Sequence, residues 1–244
     1  MKRFFCTLRT ALVAGCALLA AATAGAAALQ ISPVSLSLPA GERAGMFTLG
    51  NASAEPITAQ VRVFRWTQNA EGEDVLQPTS NVVVSPPMVQ IAANGEQQFR
   101  VIRTQPSGQA EETYRLIVDE LPAPSATPKK GLQLVLRYSV PVFLNTAQNP
   151  ETTLQWRAEP GPTPKSSVLT IRNSGAAHAQ ISRVWVSRGE GKEALSISNG
   201  LFGYVLSGQT IRRTVAVSPE QLRSGTFTAI INGRETSPGL VFAP

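Results

Sequence analysis

Residues 132–143 read Leu132-Gln133-Leu134-Val135-Leu136-Arg137-Tyr138-Ser139-Val140-Pro141-Val142-Phe143. Apolar side chains stand at every even position from Leu132 through Leu144. Successive side chains of an extended chain point to opposite sides, so a period of two puts this row on one face of a strand. The strand is longer than one small sandwich usually needs. Arg137 has the other parity and points away from the row. Such a row either packs into its own domain or offers a plug to a partner.

Further strand candidates lie upstream at 29–31, 34–38, 46–49, 60–66, 82–84, 98–102 and 114–118, between clusters of Gly, Pro, Asn and Ser. The run 60–66 alternates with one slip at Phe64. This spacing predicts about seven strands in roughly a hundred residues, an immunoglobulin-like sandwich over residues 28–145. Residues 146–152 include Gln148-Asn149-Pro150, break the pattern and read as a linker. A second, shorter sandwich is expected over 153–244, with strands near 153–157, 168–173, 180–187, 194–197, 203–206, 210–217 and 225–232. Ser218-Pro219 predicts one helical turn over 218–222, with Ser218 as the cap. Residues 121–131 contain Pro122, Pro124 and Pro128 and form a long loop. The expected class is all-β.

The first residues read as an address. Lys2, Arg3 and Arg9 precede an uncharged, apolar or small run over 11–28, which ends in Ala24-Gly25-Ala26-Ala27-Ala28. That is the form of a secretory signal peptide, assigned here to residues 1–27. The run is short and rich in Ala and Gly for a membrane-spanning helix. Val13-Ala14-Gly15-Cys16 resembles a lipobox, but cutting there would leave a long apolar run behind it. Both cysteines, Cys6 and Cys16, fall inside the signal, so the mature chain would enter an oxidising compartment without a disulfide.

The formal charge of +6 falls by three when Lys2, Arg3 and Arg9 leave with the signal. No basic run remains to suggest a nucleic-acid partner. Catalytic chemistry is equally thin. The single histidine, His178, follows the turn signal Asn173-Ser174-Gly175 and reads as a turn residue. One histidine and no mature cysteine exclude the usual zinc ligand sets. Asp119-Glu120 is an acidic pair, but neighbours on a strand face opposite ways. No cofactor, metal site or enzymatic activity is expected.

Five blocks then stand in a recognisable order: Val61-Arg62-Val63-Phe64-Arg65-Trp66, Ser85-Pro86-Pro87-Met88-Val89, Gln98-Phe99-Arg100-Val101-Ile102-Arg103, Tyr114-Arg115-Leu116-Ile117-Val118-Asp119-Glu120-Leu121-Pro122, and the run 132–143. Together they resemble the periplasmic chaperones of the chaperone–usher pilus pathway. The resemblance covers the whole first domain. In the second it rests mainly on length and on Leu201-Phe202-Gly203-Tyr204-Val205-Leu206. It implies two immunoglobulin-like β-sandwich domains set at an angle. It also implies donor-strand complementation, in which the chaperone lends a strand to an incomplete pilus subunit. The implied partners are pilus subunits and an outer-membrane usher, and the implied compartment is the periplasm.

Leu132, Leu134, Leu136, Tyr138 and Val140 are the expected contacts with the subunit groove. Family members hold the subunit's C-terminal carboxylate with two basic residues in the interdomain cleft. One branch carries the first of these near the start of the chain, but residues 33–38 contain no basic side chain here. A lysine that the same branch carries near the end of the donor strand is also missing around Val140 and Pro141. The sequence is thus closer to the archaic branch, which serves spore-coat-type pilins. The resemblance then points to Arg115 and Arg137 as the carboxylate anchor. An arginine fork suits a carboxylate bidentately. An exposed apolar strand also predicts self-association of the free protein. A structural pilus subunit or adhesin would normally be one sandwich, often with a disulfide. A secreted β-sandwich binding module would want exposed aromatics, whereas Trp66, Trp156 and Trp185 sit in strand-like runs and read as core.

Overall fold

The computed structural model describes residues 29–105, 110–122, 135–145, 151–189 and 193–243. The expected signal peptide, most of the 121–131 loop, linker residues 146–150, and Leu132 and Leu134 lie outside them.

The first domain runs β1 (Leu29–Ser32), β2 (Leu36–Leu38), β3 (Ala44–Asn51), β4 (Ile57–Gln68), β5 (Asp74–Pro78), β6 (Val82–Ser85), β7 (Met88–Ile91), β8 (Glu96–Arg103), β9 (Glu112–Leu121) and β10 (Arg137–Leu144). One sheet has the order β1-β3-β8-β6. The other has the order β2-β10-β9-β4-β5, with β7 also on β4. Between them lie Phe47 and Phe99, whose rings stack 5.0 Å apart, with Leu49, Val61, Val101, Leu116 and Val118. Each such buried side chain contributes about 1.5–3 kcal/mol.

The expected run over 34–38 is interrupted. β1 pairs with β3 in one sheet, and β2 pairs in parallel with β10 in the other. The crossing falls at residues 33–35, where Pro33 has no N–H to give a ladder and Val34 is exposed.

The second domain runs β11 (Leu154–Pro160), β12 (Ser167–Asn173), β13 (Ala179–Ser187), β14 (Leu195–Ser198), β15 (Gly203–Val205), β16 (Thr210–Val215), α1 (Pro219–Arg223), β17 (Thr226–Ile231), β18 (Arg234–Thr236) and β19 (Leu240–Phe242). Its sheets are β16-β12-β11-β19 and β14-β13-β17-β18, with β15 on β13. Trp156, Leu169, Ile171, Ile181, Val205 and Phe227 fill its core. The Ser218 side chain accepts from the Gln221 N–H, and the Gln221 side chain accepts from the Ser218 N–H. This reciprocal cap starts the short helix that Ser218-Pro219 predicts. The protein is therefore two β-sandwiches in series.

A third cluster joins the domains. Trp66 and Phe143 of the first pack with Tyr204 and Leu206 of the second. Trp66 is fully buried, but not in a sandwich core as its strand-like run suggests. It lies on the outer face of β4, and the second domain covers it.

Candidate functional site

The outer face of the β2-β10-β9-β4-β5 sheet leads from open solvent to the joint between the domains. Val61, Leu116 and Val118 face inward, so the opposite parity faces out. That parity carries Gln60, Arg62, Phe64, Trp66 and Gln68 on β4; Thr113, Arg115, Ile117 and Asp119 on β9; and Arg137, Ser139, Pro141 and Phe143 on β10. The register puts Phe64, Arg115 and Pro141 in one row, and Gln60, Asp119 and Arg137 in another. The rows are four residues apart along the strands, about 13 Å. Arg115 and Arg137 thus share a face but stand in different neighbourhoods.

Arg115 lies nearer the joint. Its guanidinium carbon sits 3.7 Å from the Trp66 ring centroid and 5.4 Å from that of Tyr204. The faces of aromatic rings attract cations, more strongly when the pair is shielded from water. Only 13% of the side chain is exposed, and its Nη2 lies 3.4 Å from Asp74 Oδ2. Burial pushes the guanidinium below its ordinary pKa, and the charge of Asp74 opposes that shift.

Arg137 is 68% exposed and belongs to a surface cluster. Its Nε donates to Asp119 Oδ1, while Arg62 Nη2 donates to Asp119 Oδ2 at 2.6 Å. Burial alone would raise the Asp119 pKa, but the two arginine hydrogen bonds outweigh it and hold the carboxyl below its ordinary value. An open basin of about 450 Å³ beside them is lined by Arg62, Arg137, Asp119 and Glu120, two cations and two carboxylates, together with Val135 and Leu136. The Glu120 carboxylate accepts from the Leu136 N–H at 3.3 Å.

β10 has two halves. Residues 142–144 lie between β9 and β2. Residues 137–141 pair with β9 on one side and, among the described residues, carry no strand on the other. Pro141, which cannot donate to a ladder, is at home in an edge strand. Of the row of even residues, Val140 is 3% exposed in the core of its own domain. Tyr138 packs against that core and donates its hydroxyl hydrogen to the Leu29 carbonyl. Leu136 is partly buried at the rim of the same core. Tyr138 and Val140, read from the sequence as contacts with a subunit groove, thus turn toward the core of their own domain, with Leu136 at its rim.

Polar contacts lock the joint behind Arg115. The Gln68 amide donates to the Tyr204 carbonyl at 2.8 Å and accepts from the Leu206 N–H at 3.1 Å. His178, read from the sequence as a turn residue, crosses to the first domain. Its backbone N–H donates to Glu111 Oε2 at 2.7 Å, and its Nδ1 lies 3.0 Å from Glu111 Oε1. No local pattern could reveal this role, because its partners lie far away in sequence.

No sequence among the curated proteins matches this chain. Solved structures do. A chain of the CsuC–CsuE chaperone–tip adhesion subunit pre-assembly complex from archaic chaperone–usher Csu pili of Acinetobacter baumannii matches with a TM-score of 0.67. That match has 24% identity and covers 89% of this chain and 100% of that one. A chain of the Salmonella enterica SafA pilin–SafB chaperone complex matches with a TM-score of 0.59 at 18% identity, over 88% of this chain and 95% of that one. The E. coli chaperone DraB matches with a TM-score of 0.59 at 14% identity, over 87% of this chain and 96% of that one. These likenesses extend across both domains and bear on the fold. The family model for pili and flagellar-assembly chaperones, PapD N-terminal domain, matches residues 28–148, the whole sandwich that carries the cleft face and β10. Through that domain the chain belongs to the pili and flagellar-assembly chaperones.

Proposed function

We propose that the protein is a periplasmic chaperone of the archaic chaperone–usher branch that holds pilus subunits by donor-strand complementation and passes them to an outer-membrane usher. The observation that carries this reading is the edge of β10 at residues 137–141, one-sided among the described residues, in a domain of the chaperone family. An unpaired edge offers a ladder of N–H and C=O groups to an added strand, and the side chains decide which strand fits. Leu132, Leu134 and Leu136 are the plug for the subunit groove. Tyr138 and Val140 continue the same row and fasten it to the chaperone's own core. Arg115 receives the subunit's C-terminal carboxylate at the joint, while Arg137, in a row about 13 Å away at the outer end of the same face, flanks the edge along which the subunit strand is laid and does not share that carboxylate. The function is one of binding, without catalysis.

Co-expression with a pilin encoded beside this protein, followed by periplasmic extraction, tests the reading. A one-to-one complex and loss of the subunit without its chaperone are expected. Full recovery of the subunit in the chaperone's absence would overturn the proposal.

A further inference from the structure

Arg115 already holds a carboxylate. Asp74, the first residue of β5, places Oδ2 3.4 Å from the guanidinium and keeps Oδ1 3.2 Å from the Gln68 amide nitrogen. Both ring faces near Arg115 belong to the joint, so the guanidinium is mostly covered, whereas Asp74 is 45% exposed. The contact is single and long, not a bidentate fork. Asp74 can rotate into water at little loss, but Arg115 cannot. A buried guanidinium needs a negative partner, and a half-exposed aspartate is a replaceable one.

We propose that Asp74 is an internal stand-in for the carboxylate that Arg115 receives, occupying the guanidinium in the free protein and yielding it on capture. This rests on the reading of Arg115 as an anchor. Asp74 keeps the empty site charge-compensated. It also competes with any incoming carboxylate, so capture requires a subunit to outbid a resident ion pair.

The position of the stand-in is tied to the second domain. Gln68, which holds Asp74, is the residue whose amide bridges the Tyr204 and Leu206 backbones. The turn just before Asp74 is closed by Asn69, whose Oδ1 accepts from the Glu71 and Glu73 N–H groups. That turn rests on β16: a Cβ at Gly72 would lie 2.6 Å from Ile211 Cα. Glu73 adds an ion pair to Arg213 at 3.4 Å. Asp74 therefore follows the seating of the two domains.

Acetate, as the smallest carboxylate, is the probe, with acetamide as its neutral counterpart and chloride holding ionic strength constant. The Arg115 Nε–H signal in nitrogen–proton NMR is the readout, assigned by its loss in Arg115→Ala. In Asp74→Asn, acetate should shift this signal at a concentration about three- to fivefold lower than in the unaltered protein, the factor expected for losing a weak surface pair. Asp74→Ser should behave alike, and acetamide should do nothing in any variant. Unmoved signals from the other arginines exclude a general loss of structure in the variants. Equal acetate responses with and without Asp74 would overturn the stand-in and leave the anchor standing. No acetate response in any variant, even with Asp74 gone, would overturn the anchor and the stand-in together.

Discussion

The imidazole of His178 lies flat on the ring of Phe143, with centroids 3.3 Å apart and planes within 4° of parallel. One ring belongs to each domain. Phe143 is fully buried there against Trp66 and Tyr204. Replacing Phe143 by Ala should therefore act on the joint more than on either sandwich. The joint can relax by opening, so the loss should sit near the low end of large aromatic truncations, about 3 kcal/mol. Calorimetry should then resolve two thermal transitions in place of one. A single transition merely shifted downward would show that Phe143 supports its own domain instead.

The same joint makes a demand on Gly72. Its φ is +80°, and an added Cβ would meet the backbone of β16 at Ile211 and Thr210. Gly41 has a similar φ of +89° with open space around it. Gly41→Ala should lose only the backbone term, about 1–2 kcal/mol. Gly72→Ala should lose more and should also widen the interdomain distance between spin labels on the two domains. Equal losses and unchanged distances would mean that the turn does not bear on the second domain.

These relationships show what the sequence makes legible. The period-two runs at 60–66, 98–102, 114–118 and 168–173 all lie in strands, because each buries one face in a core. The short strands β5 and β18 were not visible as patterns. Their side chains are nearly all exposed, and backbone pairing alone holds them in place. β19 lies at an edge, paired in parallel with β11. Arg115 could be picked out from its motif. Its surroundings could not, since Trp66, Asp74 and Tyr204 come from three separate strands. The turn reading of His178 holds, but its partners Glu111 and Phe143 belong to the other domain and leave no mark on its neighbours in sequence.

Asp119 gives the outer cluster a pH signature. Its folded pKa is lowered, while an unfolded aspartate titrates near 4. Its pairing with Arg62 and Arg137 therefore contributes fully above that unfolded value and is lost as pH falls through the lower, folded one. The melting-temperature gap between the unaltered protein and Asp119→Asn should be flat from neutral pH to about pH 5 and narrow below about pH 4. A gap that widens in acid would contradict the assignment.

Leu134→Ser with Leu136→Ser should abolish subunit capture while sparing the fold of the free protein. Leu136 is only partly buried at the rim of the core, so the sandwich can tolerate its loss. Each leucine seated in a subunit groove contributes about 2 kcal/mol. Circular dichroism and pull-down on the same sample decide the matter. A folded double variant that still holds subunit normally would remove both residues from the plug.

The two arginines should differ in weight. Arg115 is nearly covered and stacked at the joint, whereas Arg137 is mostly exposed and shares Asp119 with Arg62. A desolvated charge that loses its partner costs about 3–5 kcal/mol, and an exposed pair contributes about 0–1 kcal/mol. Arg115→Ala should therefore weaken subunit capture by several orders of magnitude. Arg137→Ala should weaken it less, because Arg62 remains beside Asp119. Arg100, exposed on the opposite sheet, is the control and should change nothing. The decisive comparison uses a subunit with one residue added after its C-terminus. If that addition and Arg115→Ala act on one contact, the double change loses little more than either alone. Additive losses would mean that the arginine and the carboxylate never meet.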